Sequence, residues 1–187
     1  MQPASLSLSH AGTLPAAVTG RRAAAIVAFA LLTAVGAFAR IPLPFTPVPI
    51  TLQTFFVLAA GIYLGGRDAA ASQGLYVGLG AAGLPVFAGG GGLEHLLGPT
   101  GGFLLSFPIA AWLVGASLQP GGRLARSIAV LAAAMALVFA LGATWLALVM
   151  GVGLGTAFTL AVLPFLPGAA LKIAAAAALA ARPPILR

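Results

Sequence analysis

Long apolar stretches, separated by short polar segments or by segments rich in proline and glycine, make up most of this chain. A helix needs about 20 mainly apolar residues to cross a membrane, and fewer where one end lies in a cavity. The pattern predicts six such helices, at residues 23–39, 51–64, 69–84, 101–118, 127–150 and 168–181. The predicted fold is therefore an all-α integral membrane protein, a bundle of six transmembrane helices.

Two segments fit this pattern less simply. Residues 151–167, GVGLGTAFTLAVLPFLP, are apolar but broken by glycine and proline, so they either extend the fifth helix or lie along the surface. Residues 1–20 are polar and are predicted to form a flexible cytoplasmic tail, which leaves 21–187 as one membrane domain. Arg21 and Arg22 before an apolar run, with AFA at 37–39, also resemble a signal peptide. The run is longer than a typical signal core, which favours an uncleaved first helix.

Composition supports a membrane protein. The chain is 61% hydrophobic and 6% charged, whereas soluble domains carry about 25% charged residues. Cysteine is absent from the sequence, which excludes disulfides and thiol chemistry. The net charge is +7, but the arginines are spread between apolar segments and do not form the basic face of a nucleic-acid-binding protein.

The distribution of arginine predicts the orientation in the membrane. Seven arginines fall on one side of the six predicted helices: Arg21, Arg22, Arg67, Arg123, Arg126, Arg182 and Arg187. Only Arg40 falls on the other side. Because positively charged loops stay in the cytoplasm, both termini are predicted to be cytoplasmic, in a multi-pass protein of the cell (inner) membrane.

The segments on the predicted outer side have an unusual composition. Residues 40–50, 85–100 and 151–167 contain most of the prolines, a glycine run and the aromatics Phe45, Phe87 and Phe165. Non-helical backbone at membrane depth is tolerated where it is buried in protein or lines a cavity. The three segments therefore predict a ligand pocket at the outer side.

The first outer segment, RIPLPFTPVPITLQTF, has prolines at positions 42, 44, 47 and 49. Proline fixes φ and makes the preceding residue extended, so the segment is predicted to be a stiff, non-helical strap. Thr46, Thr51 and Gln53 place hydrogen-bonding groups beside it. Composition alone fits a rigid connector and a binding strap equally well.

The second outer segment, GLPVFAGGGGLEHLLGPTGGF, allows close backbone approach at glycines such as Gly90 and Gly91. Thr100 is predicted to cap the helix that follows. The phosphate-loop pattern Gly-x-x-x-x-Gly-Lys-Ser/Thr is absent, so the chain has no recognisable nucleotide motor. Glu94 and His95 alone are a weak metal signal, and a solvated pair in a loop is favoured over a metal site.

The spacing of small residues indicates close helix packing, and the predicted spans lack the motifs of an enzyme. Ala30 and Ala34 lie one turn apart, as do Gly74 and Gly78, and small residues at this spacing let helices approach closely. The predicted spans contain no pair of carboxylates and no Gly-x-Ser-x-Gly sequence, so we expect no catalytic residues, metal or cofactor.

Four stretches resemble the BioY family, the substrate-binding S components of energy-coupling factor biotin transporters: PLPFTPVPITLQTFFVLAAG, LYVGLGAAGLPVFAGGGG, GPTGGFLLSFPIAA and LPFLPGAALK. They occur in the family's order. The resemblance implies biotin held near the outer face of a six-helix bundle, under the loop that joins the first two helices. It implies as partners a transmembrane coupling subunit, contacted through Ala30 and Ala34, and two ATP-binding-cassette ATPases. A self-sufficient biotin carrier without ATPases, or a structural subunit without a ligand, are the alternatives.

Together, the outer segments and the resemblance predict these ligand-binding residues: Phe45, Thr46, Gln53, Tyr76, Gly90, Gly91, Thr100 and Lys172. The family usually has an aspartate where this chain has Ala169, three residues before the retained Lys172.

Lys172, the only lysine, lies in the short predicted helix 168–181, about 21 Å long. It either extends outward to the lipid headgroups or faces a cavity floored by Ala175 and Ala176, where biotin's carboxylate or ureido oxygen would be its partner.

Overall fold

The computed structural model describes residues 16–118 and 121–181, which fold mainly as helices. The helices are α1 (Ala16–Phe38), α2 (Gln53–Leu64), α3 (Gly66–Ala81), α4 (Leu93–Leu97), α5 (Gly101–Ser117), α6 (Leu124–Met150), α7 (Leu154–Ala161) and α8 (Leu166–Ala180). Two short strands, β1 (Arg40–Ile41) and β2 (Ile50–Thr51), lie between α1 and α2, and a 3₁₀ turn (Leu163–Phe165) joins α7 to α8.

Each predicted span contains a helix of the structure, which confirms the helical architecture. Within the described ranges, three stretches are long and apolar enough to cross a membrane: Gly20–Phe38, Leu124–Met150 and Leu154–Ala180. The helices α2 and α5 are apolar but shorter. The number of crossings therefore stays a prediction, since helices this short span only where neighbouring helices and a cavity cover their ends.

The ends of the chain differ from prediction. The first helix begins at Ala16, so residues 16–20 are helical and not part of a flexible tail. Residues 1–15 of the predicted tail lie outside the described residues, as do Arg182 and Arg187.

Residues 151–167 do not extend α6. The helix ends at Gly151, whose φ of 65° is left-handed, and the chain reverses into α7. Ala157 and Ala161 of α7 pack with Leu146 of α6 and Val48 of the strap in a small apolar cluster. Thus α7 packs back on the end of α6 and leads into α8.

The centre of the bundle is α5, which packs against α2, α3 and α6. Ala110, Ala111 and Val114 of α5 are fully buried. A Cβ added to Gly115 would lie 2.4 Å from the backbone of Gly65, so α5 meets the start of α3 with no room for a side chain. Small residues therefore set the helix separation in this core.

The arginines in the first turns of α1 and at the starts of α3 and α6 lie at one end of the bundle. Arg22 forms a two-pronged ion pair with Asp68, with N–O distances of 2.9 and 2.8 Å. Arg126 donates to the carbonyl of Ser117, 3.4 Å away, at the end of α5. Since α5 ends beside the start of α3, these contacts gather the positive charge at one end.

At the opposite end, the strap forms a hairpin. Its strands pair antiparallel with Arg40 opposite Thr51 and Ile41 opposite Ile50. The strap is non-helical, as predicted, but the pairing of its ends as strands was not predicted. Leu52 alone separates the hairpin from Gln53, the first residue of α2.

The loop between α3 and α4 folds down beside this hairpin. Phe87 is 2% exposed, and a Cβ on Gly80 would lie 2.0 Å from its ring. The backbones of Phe87 and Gly90 bond to each other and close a tight turn. Phe87 thereby anchors the loop to α3.

Candidate ligand-binding site

A cavity opens at the end of the bundle formed by the strap and the α3–α4 loop. About 770 Å³ of non-atom space lies within it, open solvent at its mouth included. The strap, α2, α5, α6 and the start of α8 all contribute to its walls. The cavity therefore lies where the outer segments predicted a pocket.

Aromatic and aliphatic side chains form most of the wall. The aromatic members are Phe87, Phe103, Phe107, Phe139 and Phe165. Such walls favour a ligand with a compact apolar body, because each ring removes a large apolar area from water.

A directional chain of hydrogen bonds orients Gln53 at the cavity. The carbonyl of Val86 can only accept, so Tyr76, 3.1 Å away, must donate its hydroxyl proton to it. The Tyr76 oxygen then accepts from the Gln53 amide nitrogen. The Gln53 oxygen consequently faces Thr51, which donates to it over 2.9 Å. An amide has two N–H donors and two acceptor sites, so Gln53 keeps one of each for a ligand.

Lys172 lines the same cavity from α8. Its ammonium donates to the Thr54 hydroxyl on α2 over 2.9 Å. An ammonium has three donors, so two remain after this bond. The lysine therefore faces the cavity and does not extend to the lipid headgroups.

No side-chain carboxylate is left over to pair with Lys172. The sequence contains two acidic residues. Asp68 pairs with Arg22 at the far end of the bundle, and Glu94 lies in α4 with its oxygen 3.9 Å from His95. Lys172 is the only formally charged residue in the cavity wall among the residues that the structure describes.

The predicted floor of the cavity is wrong. Ala175 is exposed on the outside of α8. Ala176 is fully buried but does not line the cavity. Ala169 does line it.

Three of the predicted ligand residues line the cavity: Gln53, Thr100 and Lys172. Thr100 precedes α5, but its side chain makes no capping hydrogen bond, so the predicted capping role is wrong.

The other predicted ligand residues lie outside the cavity wall. Phe45 is 58% exposed at the tip of the strap. Thr46 is buried and accepts from the Val48 amide over 3.3 Å, beside a second cavity. Tyr76 lies behind Gln53 and accepts a hydrogen bond from its side-chain amide.

Gly90 and Gly91 shape the α3–α4 loop and do not line the cavity. A Cβ on Gly91 would lie 2.1 Å from the Leu84 carbonyl oxygen, and one on Gly90 would lie 2.7 Å from the His95 ring. These contacts show a role in loop packing, and the role of the two glycines as direct ligand contacts stays a prediction.

The glycines of GPTGGF likewise serve helix packing. Trp145 of α6 donates to the Gly98 carbonyl over 2.9 Å. A Cβ on Gly102 would lie 2.3 Å from the Trp145 side chain. The motif therefore holds α5 against α6 and positions Thr100 and Phe103 in the cavity wall.

Several cavity residues were not predicted from the sequence, among them Thr54, Phe103, Phe107, Met135 and Phe139. Thr54 follows Gln53 directly, and Phe103 ends a motif already singled out. Met135 and Phe139 lie in α6, a uniformly apolar stretch in which no local pattern distinguishes cavity from lipid.

Ala30 and Ala34, the predicted contacts for a partner, are 2% and 7% exposed. Both belong to the core of this chain, which leaves little of either side chain exposed; their predicted contact with a coupling subunit stays a prediction. Ala24 and Ala28 have the same spacing on α1 and are exposed.

His95 is not part of a metal centre among the residues placed by the structure, where no group of three or more His, Cys, Asp or Glu side chains is close enough to hold an ion. Its ring instead packs against Phe87, with the ring centroids 6.3 Å apart. His95 therefore belongs to the packing of the loop, whereas the Glu94 side chain is 85% exposed.

Comparisons with known proteins agree on one family. The probable biotin transporter BioY of Pyrococcus horikoshii is 41% identical over 158 residues, covering 84% of this chain and 92% of the relative. The biotin transporter BioY of Rhizobium etli is 38% identical over 160 residues, covering 80% of this chain and 85% of the relative.

A solved structure agrees as well. The crystal structure at 2.1 Å of the S-component for biotin from an ECF-type ABC transporter superposes with a TM-score of 0.80 and 27% identity, covering 90% of this chain and 93% of that one. A sequence profile of the BioY family matches residues 10–185. This chain therefore belongs to the BioY family.

Proposed function

We propose that this protein is the biotin-binding membrane subunit of an ECF-type uptake transporter. The observation that carries the proposal is the cavity at the strap end, with aromatic walls, an oriented amide at Gln53 and one ammonium at Lys172. It belongs to a chain whose relatives are named biotin transporters.

The chemistry of biotin matches this wall. Its fused ring system has two apolar faces for the aromatic side chains, and its ureido group both donates and accepts hydrogen bonds. The free donor and acceptor of Gln53 suit the ureido edge. The carboxylate of biotin is an anion, and Lys172 is the cation available to pair with it.

The alanine at position 169 makes this pairing more important. An aspartate at position 169 would have a carboxylate that competes with the ligand for the Lys172 ammonium. With Ala169 in the wall, the ammonium keeps two donors for the ligand, since a charge away from water is stable only when paired and hydrogen-bonded.

Two features of this chain support a larger transporter assembly: the absence of a nucleotide-binding motif from its sequence and an exposed pair of small residues on α1. Its sequence contains no phosphate-loop motif, so we propose that energised transport requires a transmembrane coupling subunit and two ABC ATPases. The neighbour's description as an S-component of an ECF-type ABC transporter supports this. We place the docking face on the exposed pair Ala24 and Ala28 of α1, where small side chains permit close helix contact.

We further propose that the protein lies in the cell membrane with its arginine-rich end in the cytoplasm. The contacts of Arg22 with Asp68 and of Arg126 with Ser117 support a single arginine-rich end. The strap and the cavity mouth then face the outside, where biotin is captured.

Equilibrium binding of radiolabelled biotin to the purified, detergent-solubilised protein tests the proposal. We expect saturable binding of one biotin per chain, competed by unlabelled biotin. Absence of saturable binding by protein that elutes as a single folded species would overturn the biotin assignment. Uptake in biotin-dependent cells, with and without the coupling subunit and ATPases, distinguishes a subunit from a self-sufficient carrier.

A further inference from the structure

Arg40 lies at the strap end of the bundle, beside a second cavity that the binding site does not use. This cavity encloses about 560 Å³ of empty space, including open solvent, and its wall includes Arg40, Thr46, Pro49 and Ala88. Of the described residues in that wall, Arg40 is the charged one. The rest of the wall is mainly proline and other apolar residues.

The second cavity adjoins the ligand cavity. Pro49 of the strap and Ala88 of the α3–α4 loop line both of them. Arg40 also pairs with Thr51 across the hairpin, and directly opposed residues in an antiparallel pair project from the same face. Thr51 lines the ligand cavity, so Arg40 leaves the hairpin on the ligand side.

Arg40 has no charged partner among the described residues. Asp68 pairs with Arg22 at the other end of the bundle, and the Glu94 side chain is 85% exposed beside His95. The guanidinium lies against the glycine loop, where a Cβ on Gly89 would be 3.1 Å from Arg40 Nη1. Arg40 is exposed, so its N–H groups are available to an anion.

We infer that Arg40 forms an outer recognition point for the carboxylate of the incoming ligand, met before the ligand passes Pro49 and Ala88 into the inner cavity. The inference rests on the proposed function, because it takes the ligand to be an apolar molecule with one carboxylate. A guanidinium binds a carboxylate through two parallel hydrogen bonds, which orients the ligand as well as attracting it.

The physical effect is on association. A cation at the mouth of a low-dielectric cleft attracts an anionic ligand and raises the rate of encounter. The attraction extends over about 8 Å at physiological ionic strength and shortens as salt is added. Lys172 acts later, on the ligand already held, so the two cations contribute to different steps.

The test compares the association rates of biotin and of uncharged biotin methyl ester for the parent protein, Arg40→Gln and Arg40→Lys. For Arg40→Gln we expect biotin to associate roughly five-fold more slowly at low salt, with the difference shrinking as salt rises. The methyl ester should associate at the same rate with all three proteins. Arg40→Lys should recover most of the biotin rate, and Arg21→Gln, at the other end of α1, should leave it unchanged.

The measurements use maltoside micelles, which contain no phosphate, and are repeated in phospholipid nanodiscs. An effect present in both media supports recognition of the ligand's carboxylate, whereas an effect confined to nanodiscs would assign Arg40 to lipid phosphate and overturn the inference. Equal slowing of biotin and methyl ester, or no slowing of either, would overturn it too. If the parent protein binds biotin in these experiments, such a failure leaves the proposed function standing.

Discussion

Lys172 on α8 and Thr54 on α2 are 118 positions apart in sequence, yet the lysine ammonium donates to the threonine hydroxyl over 2.9 Å. This bond joins two helices across the ligand cavity. It also aims a flexible side chain, because one of the three ammonium donors is held. The only lysine of the sequence is thereby turned toward the cavity.

Replacing Lys172 by methionine should preserve the fold and remove most biotin binding, because the cavity wall then carries no positive charge. Lys172→Arg should bind poorly, since a planar fork replaces a compact ammonium. The measurement is equilibrium biotin binding, with thermal unfolding as the check on folding. Biotin affinity equal to that of the parent in Lys172→Met would show that the lysine does not hold the ligand.

Thr54→Val is the matched control for Lys172. It keeps the shape of the side chain and the charge of the lysine, and removes only the hydroxyl that aims it. We expect biotin affinity to fall less than in Lys172→Met, in the same binding assay. A larger loss of biotin affinity in Thr54→Val would indicate that the hydrogen bond between α2 and α8 matters more for binding than the charge of Lys172.

Replacing Gln53 by leucine should weaken biotin binding about tenfold or more, because an unpaired buried polar group costs about 1–3 kcal/mol. The loss should be smaller in Tyr76→Phe, which removes the partner that orients the amide but keeps the amide itself. Both variants are measured by biotin titration. Unchanged biotin affinity in Gln53→Leu would show that Gln53 has only a structural role beside the strap.

Replacing Gly80 by alanine should destabilise the protein by about 1–3 kcal/mol, the usual cost of overpacking a well-packed site. The added methyl group would meet the Phe87 ring, so the cavity wall should shift and biotin affinity should fall with stability. Gly74→Ala, on the same helix, is the control, because its Cβ meets nothing within 4 Å. Thermal unfolding with and without biotin measures both effects, and equal behaviour of the two variants would contradict the packing argument.

Replacing Ala28 by tryptophan should impair docking of the coupling subunit and leave biotin binding to the isolated protein intact, because Ala28 is exposed. Ala34→Trp should instead destabilise the fold, since Ala34 is buried in the core. Co-purification with the coupling subunit measures docking, and thermal unfolding measures stability. Two results together would contradict a docking face at Ala28: Ala28→Trp docks normally, and Ala34→Trp folds but fails to dock.

Both termini should lie in the cytoplasm. A reporter that is active only outside the cytoplasm, fused after Arg187, should be silent, while the same reporter inserted in the strap after Leu43 should be active. The reason is that the arginines of the α5–α6 link and the start of α3 share one end of the bundle with Arg22. Strong activity after Arg187 would contradict the arrangement with six crossings.

The sequence by itself determined the class of the fold and the place of the site. Apolar length predicts helices whatever they pack against, because the backbone of a chain in lipid must satisfy its own hydrogen bonds. Proline spacing predicted the non-helical strap, since proline restricts φ locally. Gln53, Thr100 and Lys172 were found because polar residues in apolar surroundings stand out along the sequence.

Tertiary structure decided which side chains meet and which faces stay exposed. Ala24–Ala28 and Ala30–Ala34 have identical spacing, and only helix rotation buries one pair and exposes the other. Thr54 became the partner of Lys172 only because α2 packs beside α8. The aromatic wall from α6 has no local signature, because a side chain facing a cavity and one facing lipid are equally apolar; only the packing of distant segments distinguishes them.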